Sequence, residues 1–203
     1  MLTLDAVSST LPDGRVLFQS VDLSITQNTK LAIVGPSGIG KSTLLAIVGG
    51  LLQPTRGLVT GNWSAAAVAW VLQDSSVFGR LTTMDNATSQ AEMDGCPVSR
   101  ARERALICLE RVGLTAHIAK RADVLSGGER QRLTVARALT SQRPVILADE
   151  PTSHLDRLNA QRVMSALLDG DHSSAVVVVT HDIEALPQDV QRLRLTPDGL
   201  VAL

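Results

Sequence analysis

Nine consecutive residues in the first quarter of the chain fit a phosphate-binding pattern, G-x-x-x-x-G-K-S/T, at every fixed position. They are Gly35, Pro36, Ser37, Gly38, Ile39, Gly40, Lys41, Ser42 and Thr43. The backbone N–H groups of such a loop surround a polyphosphate, the lysine reaches the terminal phosphates, and the hydroxyl of Ser42 binds Mg²⁺. An ordinary glycine-rich turn before a helix is the alternative interpretation.

The residues on either side of this loop support the phosphate-binding interpretation. An apolar run over 31–34 precedes the loop and is typical of a buried strand, whereas the apolar run over 44–48 is typical of the start of a helix. A helix N-terminus adds a partial positive charge that favours anions. Strand, glycine-rich loop and helix in this order predict that the chain binds a nucleoside triphosphate.

Polar side chains with catalytic chemistry stand at the ends of three other apolar runs. Gln73 ends one run, Asp149 and Glu150 follow a second, and His181 comes shortly after a third. In an open parallel sheet, ligands bind where the carboxyl ends of the strands meet. We therefore expect these four side chains to lie beside the phosphate-binding loop at one edge of a sheet.

Each of these side chains suits a task in the hydrolysis of a triphosphate. Asp149 is placed to hold Mg²⁺ through water, and Glu150 is placed to orient and deprotonate the attacking water. The amide of Gln73 can contact both the metal and the water, and His181 is the remaining catalytic candidate. The alternatives are a polar start of a loop for Asp149 and Glu150, and a structural role for His181.

The elements that must position these residues follow from the spacing of apolar side chains. From residue 31 onwards, buried apolar runs alternate with helical stretches, which predicts an α/β fold with a mainly parallel sheet covered on both faces. Before residue 31, two alternating stretches around a turn at 12–14 predict a small antiparallel β lobe. Residues 193–195 and 200–203 are predicted to be short edge strands.

The stretch 74–124 is predicted to be a helical lobe. Its clearest helix has Ser99 as N-cap and ends before Gly113, whereas 85–98 is predicted to be a loop. The residues predicted to form the apolar face of this helix are Leu106, Ile107, Leu109 and Val112. The arginines on its polar side are Arg100, Arg102, Arg104 and Arg111. For these arginines, a solvated helix face is favoured over a surface that contacts a partner or lipid.

The composition narrows the functions that the chain can have. Its 203 residues are 44% apolar with a formal net charge of −1, which fits one domain and lacks the basic footprint of a nucleic-acid binder. Cys96 and Cys108 have no metal-binding spacing and are expected to be reduced thiols. Because no apolar run reaches the ~18 residues of a spanning helix and the N-terminus has no leader pattern, we expect a cytosolic protein.

Several further motifs follow the phosphate-binding loop in a fixed order along the chain. They are Gln73, L-S-G-G-E-R-Q-R at 125–132, V-I-L-A-D-E at 145–150, S-H-L-D at 153–156, and His181. With this set, the chain resembles the ATP-binding subunits of ABC transporters over nearly its whole length. The resemblance implies one ABC ATPase domain over 1–203, with the P-loop NTPase core, a helical lobe inserted at about 74–124, ATP and Mg²⁺ as cofactors, and ATP hydrolysis that powers transport.

The resemblance also implies partners. The signature residues are Ser126, Gly127 and Gly128. In this family they bind the γ-phosphate of an ATP held by the opposite subunit, and Asp156 connects the two sites. A chain with one loop and one signature is therefore expected to form a homodimer, peripheral on the inner, cytoplasmic face of the cell membrane beside integral membrane subunits. Residues 77–78 and 81–86 are expected to contact those subunits, with a place in the core of the lobe as the alternative.

The details of the motifs separate the remaining alternatives. The wording A-D-E-P-T-S-H-L-D is similar to the lipoprotein-release and macrolide-export branch of the family. An ABC ATPase acting on DNA or ribosomes is disfavoured because no zinc module, coiled coil or second cassette is present, and retained Lys41 and Glu150 disfavour a regulator without hydrolysis. Family members stack adenine on an aromatic residue where this chain has Leu11, which predicts a weaker hold on the base.

Overall fold

Nine β-strands and five α-helices make up the described part of this computed structural model, residues 1–61, 63–74, 76–169 and 173–203. The strands are β1 (Leu2–Thr10), β2 (Val16–Ile25), β3 (Lys30–Val34), β4 (Arg56–Thr60), β5 (Val68–Val71), β6 (Val145–Asp149), β7 (Ala175–Thr180), β8 (Gln191–Thr196) and β9 (Gly199–Ala202). The helices are α1 (Lys41–Val48), α2 (Thr83–Met93), α3 (Val98–Arg111), α4 (Gly127–Ser141) and α5 (Arg157–Leu168). Short 3-10 helices cover Ala65–Ala67, Thr115–His117 and Ala122–Val124. Within these described residues, no helix combines the length and the apolarity needed to cross a membrane.

The central sheet has six strands in the order β5-β6-β7-β3-β8-β9. Every neighbouring pair is parallel except β8 with β9, which are antiparallel. Asp149 pairs with Val179 and Val34 pairs with Thr180, so β6, β7 and β3 end at nearly the same level. The loops that follow these strands therefore open at one edge of the sheet, and the predicted α/β fold with a mainly parallel sheet is confirmed.

Alternate side chains of the central strands belong to two separate cores. On β3, Leu31 and Ile33 pack with α1 and the antiparallel strands, whereas Ala32 and Val34 pack with α2 to α5. The two-residue period of a strand produces this division. As a consequence, α1, which follows the phosphate-binding loop, and α4, which begins at the signature, lie on opposite faces of the sheet.

A second sheet, with the order β2-β1-β4, is antiparallel and confirms the predicted N-terminal lobe. The pairing of β1 with β2 shifts between Leu4 and Val7, where Ala6 adopts a left-handed φ of 47°. This is a bulge, and it allows both Leu4 and Val7 to be buried although they are three residues apart. Phe18 of β2 is also completely buried in the core below α1.

The prediction of a loop over 85–98 is wrong for most of that stretch, because α2 extends to Met93. Thr82 caps this helix, its hydroxyl accepting a hydrogen bond from the N–H of Asp85 at 3.1 Å. The buried residues of α2 are mainly small or polar, namely Thr83, Met84, Asn86, Ala87, Thr88 and Ala91. A helical face without large aliphatic side chains produces little periodic apolar signal, so the sequence does not reveal this helix.

The apolar face predicted for α3 is only half right. Leu109 and Val112 are fully buried, but Leu106 is 47% exposed and Ile107 is 55% exposed. The buried face is instead completed by small residues, Ala101, Ala105 and Cys108. The helix also begins two residues earlier than a cap at Ser99 would place it, with Pro97 at the N-cap.

The arginines of α3 have local partners in two cases. Arg102 forms an ion pair with Asp85 of α2 at 3.1 Å, and a guanidinium nitrogen of Arg104 lies 3.6 Å from the sulfur of Cys96. Arg100 and Arg111 are exposed. The predicted solvated face therefore describes part of this set, and contacts of α3 with α2 and with the connection between the two helices account for the rest.

The C-terminal half otherwise follows the sequence pattern closely. The sequence predicts a helix at about 157–168 that is closed by Gly170; α5 has these bounds, and Gly170 lies outside the described residues. The prediction that 193–195 is an edge strand is wrong, because β8 is paired with β3 on one side and β9 on the other. β9 takes the edge of the central sheet.

Candidate active site

The phosphate-binding loop, 35–40, connects β3 to α1 and folds around its own lysine. The side chain of Lys41 is 6% exposed and donates hydrogen bonds to the carbonyl oxygens of Gly35 at 2.9 Å and Pro36 at 3.2 Å. Its Nζ also lies 3.3 Å from Oε1 of Glu150. A buried ammonium is stable only with such partners.

Gly40 has both a backbone conformation and surroundings that only glycine tolerates well. Its φ is 105°, and a Cβ at this position would lie 3.0 Å from Cβ of Leu17 and 3.1 Å from Cδ1 of Phe18. The loop is therefore pressed against the second strand of the antiparallel lobe just before α1 begins. Leu11, at the predicted adenine position, lies in the turn after β1 and is partly buried against this same core.

Asp149, the last residue of β6, presents an oxygen without a protein donor. Burial raises the pKa of its carboxyl above the ordinary value, and the nearby hydroxyl of Ser42 opposes the rise. Its Oδ1 is buried and has no hydrogen-bond partner among the described residues. A buried acceptor of this kind, next to a serine hydroxyl, suits a hard cation or a water bound to one.

Glu150 connects the phosphate-binding loop to the end of β7. While Oε1 faces Lys41, Oε2 accepts hydrogen bonds from Nδ1 of His181 at 2.8 Å, the N–H of His181 at 3.2 Å and the hydroxyl of Thr180 at 3.2 Å. The backbone of Glu150 has φ 45°, a left-handed conformation that costs about 1–3 kcal/mol for a side chain of this kind. The surrounding hydrogen bonds hold the carboxylate in one position despite that cost.

The contact with Glu150 also determines the state of the His181 ring. An ionised carboxylate can only accept, so Nδ1 carries the hydrogen and donates it. This leaves Nε2 as the ring nitrogen that is open to a ligand, on a side chain that is 66% exposed. The structure thus brings together Lys41, Glu150 and His181, with Ser42 and Asp149 beside them.

Gln73 is less closely integrated than the other candidates. It lies two residues beyond the end of β5, is exposed, and has no hydrogen bond to the cluster among the described residues. β5 neighbours β6, so Gln73 leaves the sheet at the same edge. The residue before Gln73 is fixed to α4, because the side-chain amide of Gln131 donates to the carbonyl of Leu72 at 3.3 Å.

The signature residues lie apart from this cluster. Ser126 is the N-cap of α4, and its hydroxyl accepts a hydrogen bond from the N–H of Glu129 at 3.2 Å. α4 packs on the opposite face of the sheet from α1, and among the described residues the signature forms no hydrogen bond to the Lys41–Glu150 cluster. Gly128 lies against the S-H-L-D segment, where an added Cβ would be 3.4 Å from the carbonyl oxygen of His154.

Two contacts of the candidate residues were not predicted from the sequence, one in this cluster and one in the signature. Thr180 is the last residue of β7, and its hydroxyl donates to the Glu150 carboxylate, a contact that the apolar run before it does not predict. Glu129 of the signature accepts the N–H of Ser126 at 2.7 Å and so completes a capping box. A serine followed three residues later by glutamate is the pattern of such a box, so the sequence held the signal for the second contact.

Comparison with known proteins places these features in a family. Residues 18–153 match the sequence family described as ABC transporter. The chain is 37% identical over 199 residues to the lipoprotein-releasing system ATP-binding protein LolD of Legionella pneumophila (strain Paris), covering 90% of this chain and 87% of the relative. It is 36% identical over 206 residues to the phosphonates import ATP-binding protein PhnC 1 of Rhodopseudomonas palustris (strain BisB18), covering 90% and 76%.

Solved structures agree with the sequence relatives. A dimeric structure of MJ0796, a bacterial ABC transporter cassette, superposes with a TM-score of 0.81 and 31% identity, covering 98% of this chain and 96% of the other. The same cassette in a dimeric post-hydrolysis state bound to ADP and Pi gives the same TM-score and identity. The similarity extends over almost all of both chains.

Proposed function

This chain belongs to the ABC transporter family of ATP-binding proteins, and on that premise we propose how its own residues act in the ATP hydrolysis that drives transport. The observation that carries the proposal is the Glu150 carboxylate, held between Lys41 on one side and His181 and Thr180 on the other. The polyphosphate of ATP binds in loop 35–40, with Lys41 on its terminal phosphates. Glu150 is the general base for the attacking water.

Lys41 and Glu150 exchange partners in this proposal. Before nucleotide binds, the ammonium of Lys41 compensates the charge of Glu150 in a site that excludes most water. Phosphate oxygens then replace the carboxylate as partners of Lys41, which leaves Oε1 of Glu150 available to accept a proton. His181 and Thr180 keep the other oxygen in place, and Nε2 of His181 is available to the γ-phosphate.

The residues present fit a magnesium ion, as judged from the buried and unpartnered Oδ1 of Asp149 beside Ser42. When bound, Mg²⁺ neutralises charge on the β- and γ-phosphate oxygens. We propose that Ser42 and Asp149 hold it, with Gln73 as a further ligand that approaches from the neighbouring strand. The raised pKa of Asp149 fits this role, because a carboxylate without a cation is destabilised by burial.

We further propose a head-to-tail homodimer in which each ATP is bound by two chains. The support is the placement of the signature, 126–128, on the opposite face of the sheet from α1. Loop 35–40 of one copy and the N-terminus of α4 of the other would then enclose one nucleotide. The first N–H groups of a helix have no intrahelical acceptor and attract an anion, which suits them to the γ-phosphate.

Membrane subunits are the second class of partner that we propose, met on the cytoplasmic face of the cell membrane. Phe78 is 47% exposed and Leu81 is 41% exposed, and Phe78 borders a cavity of about 390 Å³ between the end of β5 and α2. By contrast, Met84 and Asn86 are buried, so the latter part of 81–86 belongs to the lobe core. We place the contact at Phe78 and Leu81, with 74–124 as the helical lobe that carries it, and propose the lipoprotein-release branch from the S-H-L-D wording.

Mixing two inactive variants tests the shared site. Lys41→Ala lacks a working phosphate loop, and Ser126→Arg blocks the signature. In mixed dimers, the loop of the Ser126→Arg chain meets the signature of the Lys41→Ala chain, so one of two sites is intact. An equimolar mixture should regain up to about a quarter of the wild-type ATPase rate.

The control mixes Lys41→Ala with a chain carrying both substitutions, in which no complete site can form. That mixture should stay inactive. If the first mixture is also inactive while each variant dimerises with wild-type protein, the site is not shared between two chains. If Ser126→Arg alone hydrolyses ATP at the normal rate, the signature has no part in the reaction.

A further inference from the structure

One carboxylate joins the signature segment to an element outside α4. Oε2 of Glu129 accepts the N–H of Ser126 at 2.7 Å, while its Oε1 lies 3.0 Å from Nε2 of His117. His117 belongs to the 3-10 helix Thr115–His117, which follows α3. The N-terminus of α4 is therefore tied through Glu129 to the connection between α3 and α4.

The contact with Glu129 is specific in geometry. Since the carboxylate only accepts, Nε2 of His117 must carry the hydrogen. Nδ1 of the same ring is buried and has no hydrogen-bond partner among the described residues. Both side chains are 22% exposed, and a hydrogen bond that is partly shielded from water is stronger than one at an open surface.

The charge state of Glu129 supports this arrangement. Its pKa is held below the ordinary value, chiefly by the hydrogen bond from the Ser126 N–H and further by the Ser126 side chain and the charge of Arg132, while burial opposes the shift. The carboxylate therefore stays ionised at neutral pH and keeps both oxygens as acceptors. Ser126 is bonded twice to this residue, because its hydroxyl also accepts the N–H of Glu129 at 3.2 Å.

We propose that His117 is a positioning residue for ATP hydrolysis, which acts through Glu129 to hold Ser126 and the first turn of α4 in the geometry that meets γ-phosphate across the dimer. The proposal rests on the proposed function of the signature. Gly127 and Gly128 have no side chains with which to fix this turn, so the capping box supplies the order. A displacement of about 1 Å at such a site is enough to slow a reaction strongly.

Two substitutions of His117 separate positioning from packing. His117→Gln can place an amide N–H near the position of Nε2, whereas His117→Phe keeps a ring of similar size without a donor. We expect His117→Phe to lower kcat roughly three- to tenfold, because one partly shielded hydrogen bond is lost. His117→Gln should retain most of kcat, and nucleotide binding by the monomer should be unchanged in both. Thr115→Ala, an exposed change on the same turn, is the matched control.

A double-mutant cycle with Glu129→Ala tests whether His117 acts through the carboxylate. In the Glu129→Ala background, His117→Phe should produce no further fall in kcat, since the link is already broken. Independent, multiplying effects would overturn the proposal. So would equal losses in His117→Gln and His117→Phe that follow their melting temperatures, which would show a purely structural role.

Failure of the positioning role of His117 can be distinguished from failure of the ATP site shared between two chains. If the mixed variants described above fail to restore activity, the dimeric site itself is wrong. If they restore it and His117→Phe has the kcat of wild type, the shared site stands and the positioning role of His117 is rejected.

Discussion

Nζ of Lys41 lies 3.3 Å from Oε1 of Glu150, and the two side chains are only 6% and 12% exposed. The cation of the phosphate-binding loop and the carboxylate at the end of β6 thus neutralise each other in a shielded place. Neither charge is tolerable there alone. In the proposed mechanism this pair keeps the site ordered before ATP binds, and the nucleotide then separates Lys41 from Glu150.

Glu150→Gln should retain the shape of this site and remove its base. A general base contributes roughly 10²- to 10⁴-fold, so the rate of phosphate release should fall at least about a hundredfold. ATP should still bind and should hold two chains together, because closure no longer leads to hydrolysis. Size-exclusion chromatography with ATP and Mg²⁺ should show a dimer that the wild-type protein forms only transiently.

The control for this variant is Glu184→Gln, since the side chain of Glu184 is 79% exposed and lies at the same end of the sheet. It should have the turnover of the wild-type protein. Undiminished phosphate release by Glu150→Gln would remove Glu150 from the role of base, whatever the oligomeric state shows.

Lys41→Ala should abolish ATP binding, because the loop loses the charge that faces the terminal phosphates. The wild-type protein should melt at a higher temperature when ATP is added, and Lys41→Ala should show no such rise. Without nucleotide the variant should also be less stable by about 1–3 kcal/mol, since Glu150 loses a partner. Lys120→Ala, which removes an exposed lysine, should behave as wild type in both measurements. An unchanged ATP-dependent rise in Lys41→Ala would contradict the assignment.

The sequence was sufficient for the parts of the fold that have strong, local patterns. The unbroken apolar run of β7 and the fixed letters of loop 35–40 define a buried strand and a phosphate site by themselves. α2 could not be found in this way, because its buried face consists of Ala87, Ala91 and polar residues. Periodicity shows which residues form an apolar stripe, but it does not show which of them a neighbouring element covers. The prediction that Leu106 is buried was wrong for this reason.

The candidate site shows a similar division. The positions of Asp149, Glu150 and His181 at the ends of predicted strands indicated that these residues would share an edge of the sheet. They could not show that Glu150 adopts a left-handed φ and so contacts both Lys41 and His181, because that depends on distances between separate strands. The position of His117 beside Glu129 could not be predicted either, since eleven residues, mostly irregular chain and a short helix, lie between them.

Asp94 should contribute stability that disappears in acid. It accepts two hydrogen bonds of 2.8 Å from the guanidinium of Arg143, which also donates to the carbonyl of Val68, so α2 is tied to the sheet. The pKa of Asp94 is lowered, chiefly by the hydrogen bond from Arg143. A folded-state pKa below the unfolded value means that the stabilisation is present above about pH 4 and is lost as pH falls through the folded-state pKa.

Asp94→Asn should therefore cost about 1 kcal/mol at pH 7, the value typical of a partly exposed ion pair with good geometry. Urea unfolding at pH 7 and again below pH 4 should show the difference from wild type shrinking towards zero. Asp123→Asn removes the partner of Arg121 in a more exposed pair and should have a smaller effect at pH 7. A pH-independent loss in Asp94→Asn would mean that the carboxylate's charge is not the stabilising feature.

Gly40→Ala should disable the phosphate-binding loop through sterics alone. The backbone φ of 105° is unfavourable for alanine, and the new Cβ would lie 3.0 Å from Leu17 and 3.1 Å from Phe18, which are themselves buried. Either the loop or the strand beneath it must move, so we expect a loss of about 1–3 kcal/mol in unfolding free energy. ATP affinity should fall at least tenfold, because the loop's N–H groups no longer converge. Gly50→Ala has a similar left-handed φ of 72° with no atom within 4 Å of the added Cβ, so it isolates the cost of the backbone conformation. That control should lose a little stability and keep its affinity for ATP, measured by isothermal titration calorimetry. Equal ATP affinity in Gly40→Ala and wild type would show that close contact with β2 does not set the shape of the loop.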